Sequence, residues 1–148
     1  MSDLMFVQMM IPHHKQAVEM SAMAIDRTTN PAVLDLAERI GNAQGPEIDQ
    51  MSAMLTRWGV DVMDDHSDHS MPGMIDAETM QKLRDAKDAD FDLLFLTSMI
   101  AHHQGAIDMA QDPLENGKDP ELKALLDEIV TSQSAEIEEM QALLDTQN

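Results

Sequence analysis

Met10-Ile11-Pro12-His13-His14 returns later in the chain as Met99-Ile100-Ala101-His102-His103. The match extends outward from this pair at a constant offset of 89 residues, through Asp3/Asp92, Phe6/Phe95, Ala17/Ala106, Met20/Met109, Pro31/Pro120, Leu36/Leu125, Ile40/Ile129, Gln44/Gln133, Glu47/Glu136, Met51/Met140 and Leu55/Leu144, with no gap from residue 3 to residue 55. Two copies of this length fall outside the short-period solenoid class and predict one pseudo-symmetric domain of two like halves. Residues 1–148 are therefore read as a single domain: a first half 3–58, a crossover 59–89 and a second half 90–148.

Working outward from the histidines, Phe6, Met10, Ala17, Met20 and Ala24 recur at three-and-four spacing, the mark of an amphipathic helix. On a heptad, His13 falls on the inward seam and His14 at its edge. Pro12 is expected to bend this helix before the histidines. Asn30-Pro31 and Asp119-Pro120 each read as an N-cap followed by proline at the first helical position, so two further helices start there, with Gly45-Pro46 a local disturbance in the first. The connection Asp61 to Met74 is polar and turn-prone, and Asp76 then caps a short helix through Met80 and Leu83. A crossover of this length spans a bundle, so the fold class is all-α: a four-helix bundle of two αα-hairpins, the architecture that places metal and cofactor sites between facing helices.

A tight turn near Thr28 sets residues whose numbers sum to about 57 side by side in antiparallel helices. His13 is then expected opposite Gln44 and Met10 opposite Glu47; a turn near Gly117 likewise puts His102 opposite Gln133 and Met99 opposite Glu136. Imidazoles and carboxylates on a core seam must pair or bind something, because burying them unpartnered is costly. One reading pairs Glu47 with His13 and Glu136 with His102 as satisfied core polar groups. The other makes Gln44, Glu47, Gln133 and Glu136 the supporting groups of metal sites built from Met10, His13, His14 and Met20 and from Met99, His102, His103 and Met109. Two such histidine pairs, each flanked by methionines, favour the metal. Thioether sulfur with imidazole and no thiolate suits Cu(I), or the similar Ag(I), whereas Mg, Ca and Mn want oxygen and Zn has little use for methionine. Cu(II) is the further candidate. In the crossover, His66, His69, Met71 and Met74 repeat this chemistry in a loop, although His66 and His69 taken singly fit an ordinary polar loop equally well.

Composition narrows the remaining choices. The net charge of −19 argues against a nucleic-acid partner, whose phosphates need Lys and Arg, and makes cations the natural company. With no cysteine, thiol catalysis, disulfides and zinc ribbons are excluded. No apolar run approaches the ~20 residues of a membrane span, and Met1-Ser2-Asp3 does not open a secretory signal. With only 3% aromatic residues, the core must draw on aliphatic side chains and the 15 methionines.

The two Met-x-x-His-His motifs followed by Ala and Met, the Met71-Pro72-Gly73-Met74 connection and the Asp90-to-Leu96 run into the second motif together resemble the DUF305 family over nearly the whole chain. The resemblance implies a ferritin-like four-helix bundle. It further implies an exported, periplasmic or secreted protein that binds copper and contributes to copper homeostasis or tolerance. The partners expected are metal ions, with copper-transfer proteins or a second copy of the chain. The expectation is thus a copper-binding protein that sequesters or carries Cu(I), with no enzymatic activity. The rival is a di-metal carboxylate ferritin-like oxidase or an iron or manganese store. Such a site needs Glu-x-x-His on two helices, and the positions three before His13 and His102 hold Met10 and Met99.

Overall fold

The computed structural model describes residues 2–61 and 71–147. Among the described residues it contains five helices and no strand: α1 (Asp3–Arg27), α2 (Pro31–Arg57), the short α3 (Ala77–Asp85), α4 (Asp88–Asn116) and α5 (Pro120–Gln147). The chain is the expected all-α, ferritin-like bundle of two αα-hairpins, α1–α2 and α4–α5, joined by a long crossover with a short helix. The second helix of each hairpin is chemically marked at its start. The Asn30 side chain accepts a hydrogen bond from the amide of Ala32 at 3.0 Å, and Asp119 accepts from Glu121 and Leu122 at 2.9 and 3.1 Å, with Pro31 and Pro120 at positions where a missing amide costs nothing. Asp76 caps α3 through Thr79 at 2.8 Å. Pro12, Pro46 and Pro113 all sit inside helices that continue through them.

The two hairpins are held together mainly by α1 against α4. Acidic residues tie the ends. Asp3, at the start of α1, accepts the amides of Lys118 and Asp119 in the α4–α5 turn, both at 2.9 Å. Its repeat equivalent Asp92, buried at the start of α4, receives the Asn30 side chain of the α1–α2 turn at a longer 3.5 Å. On the outer side, Arg39 of α2 forks onto Glu139 of α5 and onto Asp35, and Arg57 meets Glu121 at 3.0 Å. These exposed pairs orient the helices more than they stabilise them.

The apolar core divides into two clusters. One holds Phe6, Met10, Met51, Met54, Met71, Met109 and Ile129; the other holds Met20, Leu36, Ile40, Met80, Phe91, Phe95, Met99 and Met140. Methionine's adaptable thioether stands in both for the missing aromatic bulk. Met10 and Met109, ten residues from repeat equivalence, thus share one cluster, and Met20 and Met99 the other. This is what antiparallel packing of α1 on α4 produces. At mid-height, between Met10 and Met20 on α1 and between Met99 and Met109 on α4, lie the histidines.

Candidate metal centre

His13, His14, His102 and His103 are all buried, none more than 1% exposed. His13 and His102 meet across the bundle, ring centroids 3.9 Å apart and planes inclined by 34°. Gln44 and Gln133 are buried as well, at 3% and 2% exposure. The result is a polar layer between two apolar clusters, an arrangement that helix periodicity gives for free once the seam residues at one level are His rather than Leu.

The hydrogen bonds of this layer fall differently from the sequence expectation. Glu47 pairs with His14, not His13: Oε1 lies 2.8 Å from Nε2. Glu136 pairs with His103, not His102, at 2.7 Å. The correction has a physical cause. Side chains lean toward the N-terminus of their own helix, so in an antiparallel pair His14 tilts down its helix while Glu47 tilts up the neighbouring one, and they meet although their backbones are about a turn out of level. Both hairpins show the same displacement. His14 is also fully buried rather than at the seam's edge, because Glu47, itself only 14% exposed, covers it.

His13 has a partner the sequence reading missed. Its Nε2 lies 2.9 Å from the main-chain oxygen of Pro72 in the crossover; since a carbonyl only accepts, Nε2 carries the proton. His102, the repeat equivalent, has no such partner: neither of its ring nitrogens is hydrogen-bonded among the described residues, and the His13 main chain lies near it without acceptable hydrogen-bond geometry. Also without partners among the described residues are Nδ1 of His13, His14 and His103, both polar side-chain atoms of Gln44 and Oε1 of Gln133. Burial pushes the His13 pKa down to about 4, against the raising effect of Pro72 and assisted by the charges that His14 and His103 would carry. Burial also holds His102 well below the ordinary histidine range, with repulsion from the neighbouring histidines adding to it. Both rings are therefore neutral near neutral pH. With Nε2–H donated to Pro72, His13 presents Nδ1 as a bare lone pair.

Gly73 and Gly105 explain how the crossover reaches this layer. Met71-Pro72-Gly73-Met74 forms a type II turn, closed by Met74 N–H to the Met71 carbonyl at 3.1 Å, with proline second and Gly73 third at φ +75°. The turn lies directly on α4. A Cβ on Gly105 would stand 2.0 Å from the Pro72 oxygen, and one on Gly73 2.4 Å from the Ala101 oxygen. Beside it, Gln16 of α1 exchanges two hydrogen bonds with the Ile75 main chain, at 2.8 and 2.9 Å. The signal for this contact was a break in the repeat: Gln16 stands opposite Gly105, and Pro12 opposite Ala101.

Met71 is buried in the lower apolar cluster, and Met74 packs on its edge. His66 and His69 lie outside the described residues. Among the described residues, no three His, Asp or Glu side chains converge as a preformed metal cage. The methionines Met10 and Met109 below the layer, and Met20 and Met99 above it, lie in the cores that bound it.

Fold and layer together define a ferritin-like bundle with a buried histidine layer bounded by methionine-containing apolar clusters. The profile of the family described as "Domain of unknown function (DUF305)" matches residues 3–144, and the chain belongs to that family. A DUF305 fragment from Deinococcus radiodurans is 34% identical over 97% of this chain and 95% of its own, with a TM-score of 0.90. CopM in its Cu(II)-bound form is 34% identical, covering 100% of this chain and 99% of CopM, with a TM-score of 0.88. In its Cu(I)-bound form CopM gives 33%, 99% and 97%, with a TM-score of 0.86; it is also known with Ag bound. Uncharacterized protein L153 of Acanthamoeba polyphaga mimivirus is 43% identical over 54 residues, so the match spans about a third (36%) of that relative and of this chain. Among the described residues no helix is long and apolar enough to cross a membrane.

Proposed function

We propose that this protein binds copper, holding or carrying Cu(I) through the histidine layer and the methionines that bound it, and takes Ag(I) by the same chemistry. The observation that carries the reading is the state of the four imidazoles. They are buried and yet five of their eight ring nitrogens have no hydrogen-bond partner among the described residues, a costly arrangement for groups with nothing to bind. The bonds that do exist have the form that prepares histidine for a metal: Nε2 of His14 and His103 on carboxylates and Nε2 of His13 on a backbone carbonyl, each fixing the orientation of the ring. Glu47 and Glu136 also supply the negative charge that a buried cation needs.

The neighbouring sulfur selects the ion. His13, His14, His102 and His103 alone would accept zinc, but Met10, Met20, Met99 and Met109 add affinity chiefly for soft monovalent ions. Met71 and Met74, with His66 and His69, extend the same donor set into the crossover. The relation to CopM supports this choice, since CopM was obtained with Cu(I), Cu(II) and Ag. No reaction is part of the reading: the role is sequestration or delivery, outside the cytoplasm as the family resemblance implies, with a copper-accepting protein as the natural recipient. The carboxylate-rich alternative is less well served: among the described residues, the hard oxygens within the layer's hydrogen bonds are those of Glu47, Glu136 and the Pro72 carbonyl.

The test is a titration of metal-free protein with Cu(I), Cu(II), Zn(II) and Fe(II) in competition with a chelator of known affinity. Cu(I) should be held most tightly relative to Zn(II), and replacing all four layer histidines by alanine should abolish the tight phase. Stronger retention of Zn(II) or Fe(II) than of Cu(I) would overturn the proposal.

A further inference from the structure

The histidine layer has two like halves but only one crossover turn, and that turn is laid across it. Pro72 holds His13 of α1 by its carbonyl, Gly73 presses on α4 beside Ala101 and His102, and Gln16 pins Ile75 with two hydrogen bonds. Met71 is plugged into the apolar cluster beneath, while Pro72 is exposed to water. The turn therefore has one face in solvent and the other on the His13 imidazole and the α4 backbone at Ala101 and His102.

We infer that residues 71–75 are a latch over the histidine layer, one that must lift for a metal ion to pass and so sets how fast the ion is exchanged. The inference rests on the copper-binding reading. Its physical basis is that the imidazoles are closed off by burial, whereas among the described residues the turn is fastened by three hydrogen bonds, one from His13 and two from Gln16, by the insertion of Met71 and by the packing of Met74 and Ile75 at the edges of the two clusters. A short segment with so few ties is drawn from the low-stability end of a structure and opens locally without global unfolding. The helices on either side, by contrast, are tied along their whole length. The two glycines fit the same assignment. Gly105 supplies the hollow in α4 into which the Pro72 carbonyl descends, and the equivalent place on α1 is filled by Gln16, whose side chain is the fastening.

Because the latch touches His13 by hydrogen bond and His102 only by backbone packing, the two halves of the layer are inequivalent in its closed position. An ion reaching His102 needs no hydrogen bond broken on its ring; one reaching Nε2 of His13 displaces the Pro72 carbonyl.

Gly105→Ala and Gln16→Ala test this without altering any proposed ligand. In Gly105→Ala the added Cβ meets the Pro72 carbonyl and forces the turn outward, while alanine inside the helix is itself favourable. In Gln16→Ala both bonds to Ile75 are lost. Each protein is loaded with one equivalent of Cu(I), checked for unchanged helix content by circular dichroism, and mixed with excess chromogenic Cu(I) chelator in a stopped-flow instrument. Release should accelerate roughly ten-fold or more in both variants, which is the change expected in an opening equilibrium on losing one or two hydrogen bonds. Release at the parental rate in both folded variants would overturn the latch. Failure of the parent itself to retain Cu(I) against equilibrium competition is a different result: it removes the copper-binding reading and the latch with it. If Gly105→Ala does not keep its helix content, Gln16→Ala decides alone.

Discussion

Acidifying the metal-free protein should weaken it by an amount set largely by His13 and His102. In the folded state the His13 pKa is lowered from 6.5 to about 4, so between these values the unfolded chain binds a proton that the folded chain refuses. Stability contributed by the neutral ring is thus fully present above about pH 6.5, is lost as the pH falls, and is exhausted near pH 4. Moving from about pH 7 to about pH 5 should cost roughly 2 kcal/mol through His13 alone. His102, pushed down by burial and by its neighbours, adds a loss of the same sign. The protein's overall charge works the other way, since protonating an acidic surface of net charge −19 relieves self-repulsion. The buried rings should win, because they are shielded from the screening that weakens surface charge. Urea unfolding followed by circular dichroism at the two pH values measures the difference, with His13→Gln/His102→Gln as the control. Equal stability at both, or the same loss in the double variant, would refute the reasoning.

Two further outcomes follow from the layer. Replacing Met10 and Met99 by leucine preserves most of the buried volume and should cost under about 1.5 kcal/mol in stability, yet weaken Cu(I) binding far more than Zn(II) binding in a competition titration; unchanged Cu(I) affinity would make these methionines packing only. Glu47→Gln keeps an acceptor for His14 Nε2 but removes the charge, and should lower Cu(I) affinity about ten-fold while leaving helix content intact. Parental affinity in that variant would detach Glu47 from the metal.

Much of this is legible in the sequence. The 89-residue repeat, the two cap-and-proline starts at Asn30-Pro31 and Asp119-Pro120, and the methionine-histidine seam were enough to give the bundle and the level at which the histidines lie. The pairing within that level was not, because helix turns fix backbone height while the lean of each side chain decides which atoms meet; hence Glu47 bonds His14 where counting alone suggested His13. The partner of His13 escaped for another reason. Pro72 contributes a carbonyl, which every residue has, so no side-chain pattern announces it. Only the mismatch of Gln16 with Gly105 marked the place.

The cross-half contacts of Asp3 and Asp92 carry one more implication. The acid that closes the α4–α5 turn is encoded 115 residues before the first amide it holds, and the turn of the first hairpin is met by an acid on the second. Each hairpin is finished by the other. A disturbance at the start of α1 is therefore expected to reach a bend most of the chain length away, and the two halves are expected to unfold in one transition.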